Sequence, residues 1–154
     1  MATRRNDRSG RARSLSRRLA MQALYQWQMT GQTFSELRHQ FATEDEYAGV
    51  DPEYFIGLLR GVLDDSDALD ARLGELIDRP VAQLDPVEHA VLLIGLHELQ
   101  RELDVPFRVV INEGVELAKK FGATEGHKFI NAVLDRAART LRAAEQVAAR
   151  AQRK

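Results

Sequence analysis

Lys119, Lys120, His127 and Lys128 fall within ten residues of one another, and seven arginines stand among the first twenty residues against Asp7 alone. Cations grouped this way do one kind of chemistry, which is to hold the anionic oxygens of a polyanion. Covalent chemistry has no comparable grouping. The chain has no cysteine, which removes disulfide frameworks, thiolate zinc sites and cysteine nucleophiles together. His97-Glu98 resembles the start of a helical zinc motif, but Arg101 stands where the second histidine is required. His89 and His97 are two turns apart with no further ligand at the needed spacing. There is no glycine-rich phosphate loop, no G-x-S-x-G and no recognisable acid/base pair of carboxylates. The expectation is a protein without catalytic activity, metal or cofactor.

The net charge of −1 hides a segregation of sign. Residues 43–104 carry sixteen acids against four arginines, whereas residues 105–154 carry ten Lys or Arg against five acids. Two basic ends therefore flank an acidic middle. If the ends meet in space they make a basic face suited to a nucleic acid; the alternative is that each block is a solvated face. The 44% hydrophobic content and the length of 154 residues suit one domain or two tightly packed subdomains. No apolar run approaches the roughly 18 residues of a membrane span. The arginine-rich start lacks the apolar stretch of a secretory signal, so the cytoplasm is the expected compartment.

The elements that must position these cations read as helices throughout. Residues 1–13 have no apolar periodicity and are expected to be disordered in isolation. A helix begins near Ser14 or Ser16, runs through Leu19, Ala23, Leu24 and Trp27, and stops at Gly31. It also carries Arg17, Arg18, Gln22 and Tyr25, some of which must lie off the apolar stripe. A shorter helix spans about 33–43. Asp51-Pro52 starts a long helix that ends before Pro80, with a bend expected at Ser66. After a turn at 81–84, Asp85-Pro86 starts the most apolar helix, which should be central to the C-terminal half. Asp104 is expected to cap the next helix, with Pro106 just inside it and Gly122 closing it in a left-handed conformation. Thr124 is expected to cap the last patterned helix, which carries Ile130, Val133, Ala137 and Leu141. The segment after Leu141 reads as frayed helix. No period-two strand pattern occurs, so the class is all-α.

Several separated motifs resemble the NusB family of transcription antitermination factors. They are Arg17-Arg18-Leu19-Ala20-Met21-Gln22-Ala23-Leu24-Tyr25-Gln26-Trp27, Leu84-Asp85-Pro86-Val87-Glu88 running into Leu93–Leu99, Val105-Pro106 with Ile111 to Gly122, and His127-Lys128-Phe129-Ile130-Asn131 to Asp135. The resemblance covers about residues 13–141. It implies a compact all-α protein of two small bundles, three helices and then about four. The corresponding division is an arm over 1–13, subdomains over 14–79 and 80–146, and a basic tail over 147–154. It also implies binding of boxA-type single-stranded RNA in nascent ribosomal RNA leaders, jointly with the ribosomal protein NusE. That pair would seed an antitermination complex with other Nus factors on RNA polymerase.

Under that resemblance the candidate RNA-binding residues are Arg11, Arg13, Arg17, Arg18, Gln22, Tyr25, Lys120, Lys128 and Phe129. Cations would hold phosphates, Tyr25 and Phe129 would stack bases, and Gln22 would meet a base edge. Phe129 has a second reading as core, beside Ile130. The amides near Glu125 to His127 would hold a phosphate, while the Glu125 charge would oppose RNA. Glu88 is the candidate for contacting NusE. The competing function is a non-catalytic protein-interaction module of RNA-processing machinery. A homodimer covering the basic face is a further arrangement the sequence allows.

Overall fold

The computed structural model describes residues 2–153, with side chains from 9 to 152; Met1 and Lys154, the ends of the expected arm and tail, lie outside the described residues. The chain forms two compact units, one up to Asp65 and one from Ser66. Every regular element among the described residues is helical, and no helix there is long and apolar enough to cross a membrane.

The first unit holds α1 (Ala2–Thr30), α2 (Phe34–Ala42), a 3-10 turn (Asp45–Gly49) and α3 (Pro52–Asp64). The backbone of 2–13 continues α1, where the sequence pattern gave no reason to expect order. Alanine and arginine favour helix, and the lone Gly10 costs only about 1 kcal/mol. Gly31 ends α1 at φ +71°, its N–H reaching the Trp27 carbonyl at 2.8 Å. Thr33 and Glu36 close a reciprocal capping box on α2. Asp51 caps α3 through the Tyr54 N–H at 3.2 Å, with Pro52 in its first turn. Ser16 ties α1 to that cap, accepting from the Asp51 N–H at 3.0 Å. Leu19, Ala23 and Leu24 of α1 meet Leu37, Phe55, Leu59 and Val62 in a core from which water is excluded. Each large apolar side chain so buried is worth about 1.5–3 kcal/mol.

The second unit holds α4 (Ser66–Leu76), a 3-10 turn (Val81–Gln83), α5 (Pro86–Arg101), α6 (Phe107–Phe121), α7 (Gly126–Leu141) and α8 (Ala143–Arg153). The expected single long helix is thus two, α3 and α4, and the division falls at 65/66 instead of 79/80. Asp65 leaves helical geometry at φ −114°, ψ 15°, inside the polar run Asp64–Asp67 that has no apolar face to bury. Helix α5 is buried without interruption from Ala90 to Leu99 and packs against α4, α6 and α7. The approach of α7 is close because a Cβ on Gly95 would sit 2.7 Å from Leu134 Cδ2.

Two caps differ from the sequence expectation. Gly122 is extended (φ −88°, ψ 179°), and the left-handed residue is Glu125 (φ 68°, ψ 0°), directly before α7. The N-cap positions are held by Pro106 and Glu125, not by Asp104 and Thr124. The Phe107 N–H at the start of α6 is taken from afar, by Glu145 Oε1 of α8 at 2.8 Å. Glu145 is held in turn by Arg142, a buried arginine whose guanidinium donates to the carbonyls of Glu98, Leu99, Glu102 and Val105. Arg142 therefore satisfies the open C-terminal carbonyls of α5 and anchors α8.

Candidate nucleic-acid interface

Arg11, Arg18, Gln22, Tyr25 and Met29 follow one another on α1 at spacings of seven, four, three and four residues. At about 100° per residue they occupy an arc of about 60° on the helix. Arg11, Tyr25 and Met29 are exposed, and Arg18 and Gln22 are half-buried. One stripe of α1 thus presents two cations, an amide and an aromatic ring. Tyr25 is 41% exposed, uncommon for a ring in a helix otherwise lined with buried leucines and alanines. Arg18 forms a loose ion pair with Glu46 at 3.7 Å across a partly solvated gap, which is weak in water.

Arg13 and Arg17 lie on a different face. Both guanidinium groups flank the Tyr54 ring of α3, at 4.5 and 5.3 Å from its centroid. Arg17 is 2% exposed and donates to the Tyr54 hydroxyl at 3.3 Å. Its burial corrects the expectation of a phosphate-binding cation: the guanidinium lies inside the unit, where it packs α1 on α3. Adjacent arginines in sequence have opposite environments because one residue turns a helix by about 100°.

In the second unit the elbow between α6 and α7 carries the other candidates. Lys120 is exposed at the end of α6, where a cation also complements the helix dipole. Lys119 reaches Glu116 at 3.6 Å, and Lys128 Nζ is 2.6 Å from Glu125 Oε2. An RNA phosphate taking Lys128 has to displace Glu125. The Gly126 N–H donates to the Ala123 carbonyl at 2.9 Å, which removes it from the amides offered to a phosphate.

Phe129 matches neither of its two readings alone. It is half-buried, and the Arg79 guanidinium lies over the ring at 4.5 Å from its centroid. Arg79 is exposed and was not singled out by sequence, since its partner lies fifty residues later. A planar cation stacked on a ring offers its outer face to a base.

Glu88, expected on a partner surface, is 7% exposed and its carboxylate sits against Gly126 at the start of α7, where a Cβ would collide with it. Burial first, and then the Asp85 charge, raise its carboxyl above the ordinary carboxylate range, while Arg79 pulls the other way. It therefore underlies the elbow, a position that does not fit an outward partner contact. No group of three or more His, Asp or Glu side chains suited to a metal occurs among the described residues.

Residues 14–139 match the model of the NusB family. The transcription antitermination protein NusB of Idiomarina loihiensis is 47% identical over 135 residues, 88% of this chain and 97% of that protein. The protein of the same name from a Marinomonas species is 51% identical over 140 residues, 90% of this chain and 80% of its own length. Among solved structures, T. maritima NusB superposes with a TM-score of 0.74 at 26% identity, covering 83% of this chain and 91% of that one. A complex of the antitermination factors NusB and NusE with double-stranded RNA contains a chain that matches with a TM-score of 0.70 at 26% identity, over 82% of this chain and 96% of that one. A fold of this kind, matched along most of its length by close relatives, settles the assignment: the chain belongs to the NusB family and is a transcription antitermination factor, not an enzyme.

Proposed function

We propose that this chain binds boxA-type RNA of nascent ribosomal RNA leaders together with the ribosomal protein NusE, seeding an antitermination complex with other Nus factors on RNA polymerase. The observation that carries the RNA reading is the α1 stripe of Arg11, Arg18, Gln22 and Tyr25, which combines phosphate-holding, edge-reading and stacking groups within one narrow arc. Lys120, Lys128 and the Arg79–Phe129 stack supply a second set of the same groups on the elbow. The NusE part rests on the related complex, in which NusB, NusE and RNA occur together. Arg13 and Arg17 act here as positioning residues that hold α1 through Tyr54.

The test is a titration of labelled boxA RNA, single-stranded and as a duplex, with this protein alone and with purified NusE. The reading expects the single strand to bind better than the duplex and NusE to tighten it. Equal affinity for unrelated RNA of the same length, unchanged by NusE, would remove it.

A further inference from the structure

The outward face of α3 in the first unit carries Glu53, Gly57, Arg60 and Asp64, at spacings of four, three and four residues. At about 100° per residue they occupy an arc of about 60°, and all four are exposed. Arg60 lies over the Phe34 ring of α2, its guanidinium carbon 4.3 Å from the centroid. The ring covers one face of the guanidinium and leaves its in-plane N–H groups to other acceptors. No carboxylate of this unit takes them. Among the described residues Glu53, Arg60 and Asp64 form no ion pair, although Arg60 and Asp64 stand at the i, i+4 spacing. Gly57 has no explanation within the chain. An interior glycine destabilises a helix relative to alanine, yet a Cβ at this position would meet nothing within 4 Å. What a bare stretch of exposed helix permits is close approach by another molecule.

We infer that this ridge joins two copies of the chain, α3 packing antiparallel on α3 about a twofold axis. A twofold contact is self-complementary, residue i meeting j while j meets i. Glu53 and Arg60 satisfy that requirement, because they carry opposite charges and the midpoint between them falls between Ile56 and Gly57. Laid antiparallel, each Glu53 meets Arg60 of the second copy, so two ion pairs flank the crossing. Gly57 there faces Ile56 of the second copy, a half-buried side chain that takes the space a Cβ would fill. Asp64 lies beyond the paired positions. Phe34 holds the Arg60 guanidinium beforehand, which reduces the freedom lost on pairing. One helix crossing is a small contact, so the dimer is weak and forms at high local concentration. It uses no residue of the α1 stripe, in contrast to a dimer that covers the basic face.

The experiment is sedimentation velocity of the full chain at low salt, over a wide range of concentration, with melting curves to verify each variant's fold. A reversible monomer–dimer equilibrium is expected. Glu53→Arg and Arg60→Glu should each weaken it by at least about tenfold, since each sets like charges opposite one another. An equal mixture of those two variants should dimerise as the parent does, because both ion pairs re-form in the mixed dimer. The chain carrying both substitutions should regain self-association for the same reason. Gly57→Gln should melt no lower than the parent, being the better helix former, yet weaken the dimer by filling the crossing. A chain that stays monomeric throughout overturns the inference, as does a dimer that both single charge variants leave intact or a mixture that fails to recover. Arg11→Ala/Arg18→Ala should self-associate as the parent does, whatever it does to RNA binding. Loss of the dimer in that variant would place the contact on α1 and contradict the assignment to α3.

Discussion

The Arg79 guanidinium stacks on the Phe129 ring at 4.5 Å from its centroid, joining the segment after α4 to the first turn of α7. A base arriving at the elbow therefore meets a cation backed by a ring. Phe129→Ala is expected to weaken RNA binding by about 1–3 kcal/mol, the worth of one stacked base. Arg79→Ala should also weaken it and lower the slope of log affinity against log salt by about 0.7, the worth of one contact on a single strand, whereas Arg79→Lys should keep the slope and lose part of the affinity. Tighter binding by Arg79→Ala would mean that the arginine only masks the ring.

Arg142 is expected to be among the most sensitive positions for stability. Its guanidinium serves four backbone carbonyls around the end of α5 and steadies Glu145, which caps α6. Arg142→Ala strands those carbonyls in a buried site and should cost about 3–5 kcal/mol, read as a fall in the urea midpoint. A loss within about 0.5 kcal/mol would show that α8 contributes nothing to the second unit.

Glu125 sits at φ 68°, a left-handed position that costs a residue with a side chain about 1–2 kcal/mol, and its carboxylate occupies Lys128 at 2.6 Å. Glu125→Gly should be neutral to stabilising by up to about 1 kcal/mol, because relief of strain is partly offset by a freer unfolded chain. It should also tighten RNA binding by releasing Lys128. Thermal melting and RNA titration of the one variant check both halves.

Glu88 carries a pH dependence whose sign follows from its raised carboxyl. Between the ordinary carboxylate range and the raised native value, the folded protein binds more protons than the unfolded chain, so stability falls as pH rises through that window. Above it the ionised carboxylate is a fixed penalty. Glu88→Gln should accordingly stabilise the protein at pH 7.5, and its advantage should shrink as pH is lowered from the raised native value down to the ordinary carboxylate range. Urea midpoints of both proteins at several pH values test this; a difference independent of pH would contradict it.

Much of the fold is legible in sequence because its signals are local. The apolar run of α5, the Asp51-Pro52 start of α3 and the glycine after Trp27 each act within one or two helical turns. The features missed depend on partners far along the chain. Arg17 and Arg18 look alike in sequence, and Tyr54, thirty-seven residues on, decides that Arg17 is internal. Phe107 is capped by Glu145 from thirty-eight residues away, which no rule of neighbouring cap residues anticipates. At the elbow, the left-handed residue lies three positions beyond the glycine that the pattern points to: Gly122 accommodates a close approach to the Ala118 carbonyl, while Glu125 takes the left-handed turn. The cluster of elbow lysines was visible, but not that Glu125 and Glu116 already engage two of them.

The α1 stripe is the centre of the functional reading, and its charges can be counted. Affinity for single-stranded boxA RNA, measured across a salt series for the parent and for Arg11→Ala/Arg18→Ala, reports how many phosphates those two arginines neutralise. The double variant should keep the parent's melting temperature, bind RNA at least tenfold more weakly at low salt, and show a slope shallower by about 1.4, at about 0.7 per lost contact on a single strand. A variant that melts normally and retains the parent's affinity and slope would contradict the assignment of RNA to α1.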